Sequence, residues 1–382
     1  MRILQVVSLI SPQGEYGGPT RVALAHCQAL REAGHEVVLA AGSWGYDPVP
    51  DEVEGVRVRL FPAYAPVRGS FHGLASPGLA AFVARTAPTA DVVHVHLARD
   101  LVTLPAGAAA LVRHRPYVVQ THGMVVPSGN PLAPALDLLM TRRILRGAGR
   151  VLYLTDAERA GLQEVASPLR LEFLRNGISV PEPSALPAGP GRGPQILFLA
   201  RVQARKHPLD FVEMARRLAP RHPDTTFRMI GPDEGQGAEL RAAIAASGLG
   251  DRLVWEGPLP PEETGAAMRA ADVYVLPSVD EPYPMSALEA MSLGRPTVIT
   301  DTCGLAPIVE RHRAGAVCAA GGASVAEAVD ALLTDPARRV AAGRSARQAI
   351  VDELGMAPVV AQLERVYADV ISTPPAIKDS AR

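Results

Sequence analysis

Aromatic residues are scarce in this 382-residue chain, at 4%, and cysteine is limited to Cys27, Cys303 and Cys318. An odd number of cysteines without a CxxC pair argues against a disulfide framework or a structural zinc site and fits a reducing cytoplasm. No apolar run approaches the about 20 residues that a membrane helix needs. The opening run Met1–Val7 is too short for a signal peptide, and no small-residue cleavage site follows it. An excess of charge is missing as well: 38 Lys and Arg against 39 Asp and Glu give a formal net charge of −1, which argues against a nucleic-acid binder. What the chain does have is apolar material, 48% of residues, and a length that suggests two domains.

Short apolar runs alternate with segments of helical spacing. Ile3–Val7 reads as a buried strand, Thr20–Ala33 as a helix ending at Gly34, and Val37–Ala41, Val92–Val95, Tyr117–Gln120 and Val151–Leu154 as further strands. Pro181–Pro194 holds five prolines and three glycines and reads as a linker. Alternation then restarts with strands at Ile196–Ala200, Phe227–Ile230, Leu253–Trp255, Val273–Leu276 and Thr297–Thr300, and a final helix covers about Ala357 to Ile371 before a polar tail. The pattern predicts α/β architecture in two doubly wound domains, residues 1–180 and 181–356, with ligands at the carboxyl ends of the strands. Two such sheets facing one another would leave a cleft.

Four segments carry chemistry. Glu15-Tyr16-Gly17-Gly18-Pro19-Thr20 follows the first strand and opens the first helix, where backbone N–H groups favour an anion; an ordinary turn is the competing reading. The segment lacks GxGxxG and the P-loop lysine, which removes support for dehydrogenase and P-loop ATPase readings. Asp280–Met291 follows the strand Val273–Leu276, with Pro282 and Pro284 keeping its entry extended and Ser286 a candidate cap. Glu281 then lies in the loop and Glu289 about one turn inside the helix. Both carboxylates could accept from hydroxyls, or both could simply be solvated. Arg201 and Lys206 follow the strand Ile196–Ala200, where cations neutralise a diphosphate; a basic surface loop is the alternative. His122, in Thr121-His122-Gly123-Met124, also sits at a strand's carboxyl end.

Taken together and in this order, the four segments resemble the retaining glycosyltransferases of family 4, which have the GT-B fold: two Rossmann-like domains facing across a cleft. The likeness spans Met1 to about Ile371. Its sharpest element is E-x7-E, Glu281 to Glu289, within E-P-Y-P-M-S-A-L-E-A-M-S-L-G-R-P-T-V. Gly17-Gly18, Asp91-Val92-Val93-His94-Val95-His96, His122-Gly123, Arg175-Asn176-Gly177-Ile178, and Arg201 with Lys206 support it. The resemblance implies that Arg201 and Lys206 hold a donor diphosphate, that Glu289 binds the ribose and Glu281 the donor sugar. It implies that the backbone of Met285 and Ser286 meets sugar and phosphate, that Gly17 and Gly18 approach the phosphate, and that His122 touches the transferred sugar. Glu256-Gly257-Pro258-Leu259 resembles the base-binding loop. The C-terminal helix, within residues 357–382, is expected to cross back onto the first domain.

The implied activity is transfer of a hexose from a nucleotide-diphosphate sugar, UDP favoured over GDP, to a hydroxyl acceptor of a polysaccharide, glycolipid or metabolite. Retention is implied without a protein nucleophile, Glu281 as a covalent nucleophile being the weaker option, and no metal or tightly bound cofactor is expected. A sugar-nucleotide epimerase or phosphorylase on the same fold, and a non-catalytic nucleotide-sugar binding module, are the rival readings. Three positions depart from the family pattern: Pro284 and His207, where glycine is usual, and Ala306. Pro284 has no N–H to donate, which weakens one donor-sugar contact. His94 and His96 point the same way along a strand, but no third ligand lies nearby in sequence. Met140–Arg146 mixes arginine with apolar residues and reads as a domain helix with a basic face, peripheral contact with the inner face of an anionic membrane being the alternative.

Overall fold

The computed structural model describes residues 1–12, 17–65, 73–130, 133–181 and 193–373. Glu15 and Tyr16, most of the linker, the centre of the loop Ala63–Gly73, two residues of the loop Met124–Pro134 and most of the polar tail lie outside them. The chain forms two compact units, Met1–Gly177 joined by the stretch from Met356, and Ile178–Gly355.

The first unit is built on strands β1 (Arg2–Ile10), β2 (Glu36–Ser43), β3 (Glu52–Val53), β4 (Val56–Pro62), β5 (Val92–His96), β6 (Tyr117–Gln120), β7 (Arg150–Tyr153) and β8 (Leu171–Phe173). Their order is β3-β4-β2-β1-β5-β6-β7-β8. Every pairing is parallel except β3 with β4. Central strands are buried on both faces, which is why β1 and β5 are mostly apolar, with Gln5, Ser8, His94 and His96 as buried polar residues among them. One face of the core is closed by the C-terminal helix Met356–Ser372. Val359, Leu363, Val366, Tyr367 and Val370 of this helix are buried in one cluster with Ile3, Val7, Cys27 and Leu30.

The second unit carries β9 (Gln195–Leu199), β10 (Thr226–Ile230), β11 (Leu253–Trp255), β12 (Val273–Leu276), β13 (Thr297–Thr300) and β14 (Gly315–Cys318). The order β11-β10-β9-β12-β13-β14 is all parallel. Counted from β9 it is 3-2-1-4-5-6, the doubly wound order whose ligand crevice lies between the first and fourth strands. In this unit those strands are β9 and β12.

Two local expectations change. The first helix spans Gly17–Glu32, so Gly17 and Gly18 form its first turn and do not precede it. Residues 137–147 hold a π-helical turn, Asp137–Thr141, followed by the helix Arg142–Gly147; Ile144 and Leu145 are buried while Arg143 and Arg146 face out. Among the described residues, no helix is long and apolar enough to cross a membrane.

Candidate active site

The loops that leave β9 and β12 flank the switch point of the second sheet. After β9 the chain makes a 3-10 turn, Ala204–Lys206, and His207 takes a left-handed conformation with φ 48° before the helix Pro208–Leu218. That conformation is costless for glycine and strained for most other residues. The turn directs Lys206 inward, where its side chain is only 10% exposed, and Lys206 Nζ forms an ion pair with Glu281 Oε2. Glu281 is equally buried, and Arg205 Nη2 stands 3.7 Å from the same oxygen. A carboxylate thus holds one buried ammonium and one half-exposed guanidinium at the crevice.

Glu281 is positioned through its backbone. Its carbonyl accepts from Gly304 N at 2.9 Å, and Val279 N donates to Arg205 O at 3.1 Å. Asp280, at φ 51°, donates its N–H to Thr302 Oγ1 at 3.1 Å. The loops after β9, β12 and β13 are therefore tied into one rim. Gly304 permits the closest approach: a Cβ there would stand 1.9 Å from Pro282 O.

The helix after β12 spans Met285–Ser292, with Pro284 at its N-cap and no side-chain cap. Ser286 is not the cap that the sequence suggests. It lies in the first turn, and its hydroxyl pairs at 2.7 Å with that of Tyr274, which also donates to Leu199 O at 3.2 Å. Pro284 O accepts from Ala287 N at 3.1 Å. The N–H groups of Met285 and Ser286 fall in the helix's first turn, where intrahelical acceptors are absent and anions are favoured. Burial drives the Tyr274 phenol well above its ordinary value, and Glu289 and Glu281 push it further the same way. Both carboxylates thus act electrostatically on the Tyr274 hydroxyl, which Ser286 meets directly.

Arg201 does not join this cluster. It is half-exposed and pairs with Glu234 at 3.1 Å. Glu256-Gly257-Pro258-Leu259 follows β11, two strands from β9, with Gly257 at φ 76° and Glu256 bonded to Arg228 at 2.6 Å. An open depression of about 450 Å³ adjoins Glu256 and Gly257; it is lined also by Trp255, Val254 and Ile244, with Arg241 lying 5.2 Å over the Trp255 ring. It reaches none of the residues at the switch point.

In the first unit the helix start at Gly17 leaves the Gly18 backbone open: a Cβ there would meet nothing within 4 Å. His122 follows β6 at φ 50°, with Gly123 at φ 76°. Glu158, buried in the first turn of the helix Asp156–Val165, clamps this turn. Its Oε1 accepts from Thr121 Oγ1 at 2.5 Å and Gly123 N at 2.6 Å, and its Oε2 from Leu154 N at 2.7 Å. His122 is the end of an imidazole row, with His96 5.1 Å away and His94 stacked 4.5 Å from His96. His26, from the first helix, adds the third imidazole that sequence neighbours of His94 and His96 lack, and ligand atoms of His26, His94 and His96 lie within 4.8 Å of one another. The His94 and His96 rings are parallel to within 10°, so their nitrogens lie side by side and do not converge on one point.

Sequence reasoning missed Tyr274, Gly304, Glu158 and His26. Glu158 did carry a signal, the Thr155-x-x-Glu158 spacing of a helix start, but nothing in that spacing shows the carboxylate reaching Thr121 and Gly123. The other three act only through the folded sheet.

Two doubly wound α/β units in tandem, with candidate ligand residues at their strand ends, define the GT-B class of fold. Residues 17–177 match the family model described as a glycosyl transferase 4-like domain, and residues 187–349 match glycosyl transferases group 1. The 2-deoxystreptamine glucosyltransferase of Streptomyces kanamyceticus is 31% identical over 86% of this chain and 93% of its own. The glycogen synthase of Mycobacterium tuberculosis is 31% identical over 96% and 94%. Among solved structures, Anabaena Alr3699/HepE in complex with UDP superposes with a TM-score of 0.73 at 17% identity, covering 96% of this chain and 100% of that one. The sucrose-phosphate synthase of Thermosynechococcus elongatus gives 0.71 at 21% identity, covering 97% and 100%. The chain belongs to the group 1 glycosyl transferases of family 4.

Proposed function

We propose that this enzyme transfers a hexose from a UDP-sugar to a hydroxyl of a small polyol with retention of configuration. The observation that carries the reading is the buried Lys206–Glu281 pair at the β9/β12 switch point, beside the open N–H groups of Met285 and Ser286. Lys206, with Arg205 behind it, meets the donor diphosphate and stabilises charge on the leaving group; loss of one such donor costs ~10²–10³ in rate. Arg201 leaves Glu234 to join them. Glu281, released from Lys206 by the incoming anion, accepts from the donor sugar, and Glu289 accepts from the ribose. Gly257, Pro258 and Leu259 receive the base. Within the first unit, Gly17, Gly18 and His122 are the residues assigned to ligand binding. The displaced phosphate takes the acceptor's proton, so no protein nucleophile is assigned, and no metal is required.

The acceptor reading is supported by what relatives act on. One is the 2-deoxystreptamine enzyme above; another is the D-inositol 3-phosphate glycosyltransferase of Pseudarthrobacter chlorophenolicus, 30% identical over 67% of this chain. Both named acceptors are cyclitols. The test incubates the pure protein with a panel of UDP-, GDP- and other nucleotide sugars, with and without 2-deoxystreptamine or inositol phosphate, and identifies products by mass spectrometry. Transfer from a UDP-sugar, lost in Lys206→Ala, is expected. Free sugar released as an epimer, consumption of inorganic phosphate, or binding without turnover would select one of the rival readings instead.

A further inference from the structure

The imidazole row of the first unit has a direction, and that direction decides what His122 can offer a ligand. Gln5 Oε1 only accepts, so the proton in its 2.9 Å contact sits on His96 Nε2. A neutral His96 then carries its lone pair on Nδ1. His122 Nε2, 2.8 Å from that atom, must donate. Its other nitrogen, Nδ1, is left as an acceptor.

At the far end of the row Tyr367 Oη stands 2.7 Å from His94 Nδ1. The row also stays neutral. Burial drives the His96 imidazole well below its ordinary value, and the facing rings of His94, His122 and His26 push it further down. His26 has no hydrogen-bond partner on either ring nitrogen and so does not compete for these protons. The Glu158 clamp on Thr121 and Gly123 holds the backbone on both sides of His122.

We propose that Gln5 and His96 are positioning residues that lock His122 as its Nε2–H tautomer, so that His122 Nδ1 accepts a hydrogen bond from a ligand hydroxyl. The inference deepens the transfer reading and rests on His122 meeting the ligand. The hydroxyl belongs to the donor sugar or to the polyol acceptor, and both present the same chemistry.

The first measurement does not depend on the function. Histidine-¹⁵N-labelled protein is examined by long-range ¹H–¹⁵N correlation, the His122 signals being those missing from His122→Asn. The Nε2–H pattern is expected at neutral pH. Gln5→Glu should convert it: a carboxylate beside His96 favours the imidazolium, whose Nδ1–H must donate to His122 and moves the His122 proton to Nδ1. Gln5→Met, which removes the acceptor and adds no charge, should give a mixture of both tautomers. An Nδ1–H pattern in the unaltered protein, or a His122 pattern unmoved by either variant, would overturn the proposal. So would one zinc per chain in the purified protein that His26→Phe removes.

The second measurement compares binding of the nucleotide sugar selected by the panel with binding of its free nucleotide. If the hydroxyl is the donor sugar's, Gln5→Glu weakens the nucleotide sugar by about tenfold and leaves the nucleotide unchanged. If it is the acceptor's, both bind as before and the acceptor KM rises by a similar factor. A converted tautomer with neither change refutes the ligand role of Nδ1. A protein that binds no nucleotide sugar refutes the transfer reading, while the spectra still decide the tautomer.

Discussion

Lys206 and Glu281 lie 75 positions apart in sequence, and nothing in either local pattern pairs them. The E-x7-E spacing and the cations after β9 were legible, because loops at strand ends in a doubly wound sheet are where charged residues meet ligands. The ion pair itself depends on β9 and β12 being neighbours, which only the sheet order gives. Its burial has a measurable effect. Removing Lys206 leaves the buried Glu281 with only the half-exposed Arg205, a loss of up to about the 3–5 kcal/mol that a stranded buried charge costs. Lys206→Ala should therefore lower unfolding stability in urea by that order. The double variant Lys206→Ala with Glu281→Gln should recover most of the loss without recovering transfer. A double variant no more stable than the single one would mean that the two charges are not coupled in the fold.

At the level of elements, the central strands were the most legible part. Tyr117–Gln120, Val273–Leu276 and Thr297–Thr300 coincide with β6, β12 and β13, because a parallel strand covered on both faces must read as a continuous apolar run. The strands that went unread lie farther out or are short. β4 alternates Val56, Val58 and Leu60 with Arg57 and Arg59, a pattern a period of two would have revealed; β3, β8 and β14 have two to four residues and offer little to read. The helix after β12 starts at Met285, as its sequence suggests, but Ser286 is not its cap for a physical reason. Pro284 holds the N-cap position, and Ser286 has Tyr274 as a partner. Packing between loops was not legible at all, and Gly304 is its clearest case. Gly304→Ala must push Pro282 away from the loop after β13 and carry Glu281 with it. A displacement of about 1 Å at a ligand group can cost ~10²-fold. Steady-state kinetics with the donor from the panel should show a loss of that order in kcat/KM. A variant that folds and keeps its kcat/KM would show that this approach does not set the position of Glu281.

The whole molecule carries an acid-sensitive core. Burial lowers the His26 imidazole to about 4 and His122 to about 3, and drives His94 and His96 well below 6.5, their ordinary value. Unfolded, each takes a proton near 6.5; folded, none does until far lower pH. The unfolded state therefore binds more protons below 6.5, and stability is full above that value and falls as pH drops through it. Each group contributes up to about 1.4 kcal/mol per pH unit. Urea unfolding at pH 7, 6 and 5 should show stability falling by up to about 5.5 kcal/mol per unit below 6.5, and His26→Leu should make that limb shallower by about a quarter. An unchanged slope in His26→Leu would mean that His26 is not held neutral by the fold.

The helix Met356–Ser372 completes the core of the first unit from the far end of the chain. During translation, Ile178–Gly355 leaves the ribosome before this helix exists. At the usual 5–20 residues per second the wait is on the order of 10–40 seconds. Throughout it the nascent first unit presents Ile3, Val7, Cys27 and Leu30 without their cover, a surface suited to chaperones and to aggregation. The second unit, encoded later, has all its own residues first, so the half begun earliest is the last to finish folding.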